Sequence, residues 1–89
     1  MPGTITTTGM TGGPISTAHA SGESVSQWVG RHTDAVSNGS PTDKLTTCWP
    51  CVGSKPVSTN RNPGEPDEEF IQRHEVAYTL AMLNCPPVP

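Results

Sequence analysis

The sequence predicts an α+β domain in which a ββα unit occurs twice in tandem, giving one four-stranded antiparallel sheet with two helices packed on one face. Three observations carry this reading. Sliding the chain against itself by 42 residues aligns positions 14–36 with 56–78 without a gap, and eight of the 23 pairs are identical: Pro14/Pro56, Ser16/Ser58, Thr17/Thr59, Gly22/Gly64, Glu23/Glu65, Arg31/Arg73, His32/His74 and Ala35/Ala77. Upstream the register becomes 40, where Ile5-Thr6-Thr7 matches Leu45-Thr46-Thr47, so the second copy holds two extra residues in a turn. The third observation is a stripe of apolar residues at helical spacing near the end of each copy.

Taken in order, residues 4–8 are Thr-rich and β-branched and read as a short strand. Gly9 and Gly12-Gly13-Pro14 mark a turn, and residues 15–18 form a second strand close enough to close a hairpin. After Gly22, Trp28, Val29, His32, Ala35 and Val36 fall on one helical face. Ser24 with Gln27 three residues on forms a capping box, whereas alignment with a helix starting at Pro66 moves the cap back to Glu23. The second copy repeats the order: a strand over 44–49, punctuation at Pro50, Gly53 and Pro56, a strand over 57–60, and a turn at Arg61-Asn62-Pro63-Gly64. Pro66 suits the first helical position, and Asp67-Glu68-Glu69 put negative charge at the positive end of the helix dipole. Phe70, Ile71, His74, Ala77, Tyr78 and Ala81 continue the stripe. Neither unit buries its stripe alone, so residues 1–84 are expected to fold as one domain of two units, 4–38 and 44–84. A Pro-rich tail, 85–89, follows; it contains a P-x-x-P that fits polyproline II and aromatic grooves or simply ends the helix.

Composition bounds the function. The large aliphatics and Phe number only 14 of 89, and the core of a chain this short supplies roughly 3–5 kcal/mol. Charged residues are 15% and the net charge is −3, too little to hold the chain open. Five Lys+Arg against eight Asp+Glu leave no basic footprint for nucleic acid. No apolar run is long enough to span a membrane and no signal-peptide layout is present, so a cytoplasmic location is favoured.

Two groups of residues are candidates for chemistry. The Arg31-His32 and Arg73-His74 pairs place each imidazole in the stripe and each guanidinium at its edge. They read either as a pH switch or pair of metal ligands, or as half-buried rings bonded to a strand Thr or a carbonyl, with each Arg holding the corner through Glu23 or Glu65. Cys48-Trp49-Pro50-Cys51 resembles half of a zinc knuckle, which His74 and Cys85 would have to complete. A redox dithiol fits poorly because a strand follows, which leaves a local Cys48/Cys51 disulfide or plain buried thiols; three cysteines also argue against a disulfide scaffold. Catalytic motifs are lacking. Alternation leaves Thr6, Thr8, Ser16, Thr46 and Ser58 on the sheet face away from the helices, a hydroxyl-rich and nearly uncharged contact surface without stacking aromatics.

The expectation is therefore a small non-catalytic interaction or structural accessory protein that needs no cofactor and binds a protein partner or copies of itself. One alternative is a zinc-stabilised module using Cys48, Cys51, His74 and Cys85; another binds a repetitive hydroxyl-bonding surface through the Thr face.

Overall fold

A computed structural model describes residues 3–53 and 55–89, so residues 1, 2 and 54 of the expected domain lie outside the described residues. The elements run β1 (Thr4–Met10), β2 (Ile15–Ala18), α1 (Val25–Ser37), β3 (Pro41–Cys48), β4 (Val57–Asn60) and α2 (Asp67–Asn84). The strands form one antiparallel sheet in the order β2-β1-β3-β4, with both helices on one face. This is the α+β architecture expected from the sequence.

The helix starts resolve the conflict over the first cap. Ser24 caps α1, its hydroxyl accepting from the Gln27 N–H while the Gln27 side chain accepts from the Ser24 N–H. Pro66 occupies the same cap position of α2 rather than its first turn. The two caps are thus 42 residues apart, in register with the rest of the helices. Asp67, Glu68 and Glu69 form the first turn of α2, as the dipole argument requires.

Two strands are longer than expected. β1 continues to Met10 and β3 begins at Pro41, because the central pair survives a shift of register: Thr8 lies opposite Thr46, but Met10 lies opposite Pro41. Gly9 sits at the break with φ +97°, and a Cβ there would strike the carbonyl oxygen of Lys44. Both facts require glycine. Gly9→Ala is expected to cost at least about 1–2 kcal/mol from the backbone alone; a variant melting with the native protein in a thermal scan would show that the break has no such demand.

The interior is divided into three layers. Ile5, Trp28, Trp49, Tyr78 and Met82 pack at one end, and Met10, Val36, Leu45, Phe70 and Ile71 at the other. Between them every major element contributes a polar residue: Thr7 between Ile5 and Met10 on β1, His32 between Trp28 and Val36 on α1, Thr47 between Leu45 and Trp49 along β3, and His74 between Ile71 and Tyr78 on α2. All four of these polar side chains are wholly buried. Trp49 and Met10 are core residues that the strand assignments did not place inside.

The chain end is tied to the body. Cys85 is crosslinked to Cys51, Pro87 is buried, and the Val88 N–H donates to the Pro50 carbonyl at 2.8 Å. Residues 85–89 therefore cover one end of the sheet instead of trailing from it.

Candidate functional site

The buried polar layer is one continuous chain of hydrogen bonds crossing the sheet from edge to edge. Thr17 Oγ1 lies 2.9 Å from His32 Nδ1, and His32 Nε2 lies 2.7 Å from Thr7 Oγ1. Thr7 Oγ1 meets Thr47 Oγ1 at 2.7 Å, across the directly opposed pair of the two central strands. Thr47 Oγ1 then lies 2.7 Å from His74 Nε2, and His74 Nδ1 lies 2.8 Å from Thr59 Oγ1. Local structure sets each position: the threonines point inward by strand alternation, and each His stands one helical turn beyond an aromatic, Trp28 or Phe70, that anchors its helix. No buried polar side chain among the described residues lacks a partner.

Burial governs the protonation of this layer. Desolvation, followed by the proximity of His74, pushes His32 down to about 4, and desolvation pushes His74 down to about 4. Both rings are neutral at pH 7. The Tyr78 ring contacts both imidazoles edge-on, and burial raises its hydroxyl to about 12, so it stays a neutral partner for the Thr33 hydroxyl. A Thr hydroxyl bonded to a His nitrogen is the pairing used to activate nucleophiles. Here all six groups are buried under the helices, where no substrate reaches them in this conformation.

The arginines next to the histidines face outward. Arg31 binds Glu23 through two nitrogens, at 2.7 and 2.9 Å, and donates to the Ala18 carbonyl at 2.6 Å. Arg73 makes the same contacts to Glu65 and the Asn60 carbonyl. The bonds from Arg31 and Arg73 hold the Glu23 and Glu65 carboxyls at about 2. Each fork pins a helix to the end of its edge strand.

Arg61 is a residue that the sequence reading missed. Its guanidinium donates to the carbonyls of Pro41, Thr42 and Glu65, pairs with Asp67 at 2.8 Å and lies over the Phe70 ring. His19, 42 residues earlier, likewise bonds the Glu23 carbonyl and packs edge-on against Trp28. Arg61 and His19 are chemically unlike, so no identity in the self-alignment marks the shared position.

The cysteines divide differently from either expectation. Cys51 and Cys85 are disulfide-bonded with Cα atoms 6.0 Å apart, and Cys48 is a free thiol on the outer sheet face. The local Cys48/Cys51 pairing is replaced because β3 ends at Cys48, pointing that side chain outward, while the following turn brings Cys51 to the end of α2. Nor do Cys48, Cys51, His74 and Cys85 converge: His74 is enclosed with both nitrogens bonded to threonines. Among the described residues no three His, Cys, Asp or Glu side chains gather where they could hold a metal.

Two surfaces remain. On the outer sheet face, Thr6 bonds Ser16 at 3.1 Å, Thr46 bonds Ser58 at 2.9 Å, and Thr8 reaches the Thr46 carbonyl at 3.4 Å, so the hydroxyls are largely engaged with one another. On α2, Val76, Leu80 and Leu83 stand exposed at 53, 59 and 74%. Their spacing puts them on one face, opposite the buried Phe70, His74 and Tyr78. Beside this ridge a groove of about 340 Å³ between the helices is lined by Val25, Val29, Met82, Leu83, Pro86 and Pro87. No helix of the described residues is long and apolar enough to cross a membrane. Compared with family models, with curated proteins and with solved structures, the chain matches none.

Proposed function

We propose that this chain acts by contact, as a small accessory or structural protein that self-associates through the outer face of α2. The observation that carries the reading is the exposed Val76–Leu80–Leu83 ridge. A helix apolar on both sides belongs in an interior on both sides. The ridge is close to symmetric about Leu80, so an antiparallel twofold pairing sets Val76 against Leu83 of a second copy with the two Leu80 side chains at the centre. Such a self-complementary patch is what a closed dimer requires. Charge favours the same occupant: from Val76 to the last residue there is no charged side chain, so two copies meet without opposing like charges. The thin core gives association a stabilising role. The same reading takes the two halves as copies of one ββα unit, and the Cys51–Cys85 crosslink favours an oxidising compartment over the cytoplasm.

Light scattering on the native protein at micromolar concentration is expected to give twice the chain mass, and Leu80→Glu is expected to give the single-chain mass with an unchanged far-ultraviolet spectrum. A native protein that stays single-chain up to millimolar concentration ends the proposal.

A further inference from the structure

We infer that the two equivalent histidines are held in opposite tautomers, because the Thr17–His32–Thr7–Thr47–His74–Thr59 chain is satisfied only when all its hydrogen bonds run in one direction. Thr7 and Thr47 have two partners each and one hydrogen each, and both are wholly buried. Let Thr7 donate to Thr47. Its hydrogen is then used, so His32 must donate from Nε2, and His32 Nδ1 accepts from Thr17. The Thr47 hydrogen goes to His74 Nε2, which leaves His74 donating from Nδ1 to Thr59. Every bond is made, and the spare hydrogen lies on Thr59, at the sheet edge and 8% exposed. Reversing every arrow gives the only other complete arrangement, with the tautomers exchanged.

The matched arrangements fail. With hydrogens on both Nε2 atoms, one central threonine accepts twice and its own hydrogen has no acceptor in a sealed interior. With hydrogens on both Nδ1 atoms, Thr7 and Thr47 each donate to a ring, and their oxygens face each other at 2.7 Å with no hydrogen between them. Buried polar groups avoid both situations. The symmetric cluster is thus asymmetric in its protons, and the direction of the single Thr7–Thr47 bond fixes both rings at once.

The groups facing the rings leave this control to the chain itself. Thr7 and Thr17 face His32 from β1 and β2, Thr47 and Thr59 face His74 from β3 and β4, and Tyr78 is the ring neighbour of both from α2. The adjacent Arg31 and Arg73 are turned away onto Glu23 and Glu65. The array has room for one added proton but not two. A ring that already donates from Nε2 can take a hydrogen on Nδ1 if Thr17 or Thr59 turns its hydroxyl outward, whereas charging the second ring leaves a central hydroxyl without an acceptor.

Nitrogen-detected NMR of the imidazoles in the full chain at neutral pH tests this. One ring protonated at Nε2 and the other at Nδ1 is the expected result, with matched arrangements outnumbered about tenfold or more. If the native rings show averages of the two directions, Thr17→Val and Thr59→Val decide. Thr17→Val removes the acceptor that a buried His32 Nδ1–H needs, so His32 keeps its hydrogen on Nε2 and the remote His74 is set to the Nδ1–H form; Thr59→Val sets His32 to that form in the same way. At least one variant must change the ring in the other half. Like tautomers on both rings, or averaged rings that neither valine variant moves at a distance, overturn the inference.

Discussion

Replacing His74 with alanine is expected to destabilise the protein by about 3–5 kcal/mol, enough to leave it largely unfolded at room temperature. Two effects add. The ring fills the centre of the middle core layer, where it is wholly buried, so truncation opens a cavity between the two apolar clusters. It also strips Thr47 and Thr59 of a hydrogen-bond partner inside a region closed to water, at about 1–3 kcal/mol for each group left unpaired. His32→Ala is expected to match it, because Thr7 and Thr17 stand in the same relation to His32. Urea denaturation measures both, and Val52→Ala, at a side chain 97% exposed and away from the α2 ridge, serves as a control expected within about 0.5 kcal/mol of the native protein. A His74→Ala protein as stable as that control would show that the polar layer is dispensable.

Acid should have a comparable effect over a narrow range. The rings titrate near 6.5 in the unfolded chain and near 4 in the folded one, so between these values the unfolded state binds more protons. Stability is therefore fully present above pH 6.5 and is lost as pH falls toward 4. The shift is worth about 3 kcal/mol for each ring at about 1.4 kcal/mol per unit. Halved because solvent relaxes part of the cost of charging, the two rings together still supply about 3 kcal/mol, against the roughly 3–5 kcal/mol of a core this small. Glu23 and Glu65, held at about 2 by Arg31 and Arg73, stay ionised through this window and cannot account for the loss. Thermal scans between pH 7 and 4 should show a steep fall in melting temperature, and His32→Gln should about halve it. A melting temperature constant over that range would mean that the folded rings accept protons as readily as free ones.

How far the sequence went depends on the kind of signal. The strand and helix order was legible because the chain writes each pattern twice, and a cap such as Ser24 with Gln27 is a local device. The end of β1 was not legible, since the break at Gly9 is set by which part of β3 lies opposite it. Trp49 was read as the end of a strand, yet it enters the core where its indole N–H donates to the Cys85 carbonyl, 36 residues away. The cysteine pairing failed for the same reason: spacing favours Cys48 with Cys51, while the fold carries the end of α2 to Cys51. The α2 ridge was not legible because apolar residues lie on both sides of that helix, and spacing alone does not say that Val76, Leu80 and Leu83 are the side left exposed.

By itself the sequence determined a tandem order of hairpin and helix, with a His in each helix stripe and a Thr at one inward position of each strand, because those are consequences of local periodicity. It also presented a puzzle in its few aliphatic residues, 14 of 89. Only the tertiary structure decided what fills the rest of the core. Antiparallel pairing of β1 with β3 sets Thr7 opposite Thr47, and this single register joins two separate Thr–His–Thr groups into one buried chain. Hydrogen bonds between residues 40 positions apart leave no periodic trace, so the polar middle layer looked in the sequence like a shortage of core.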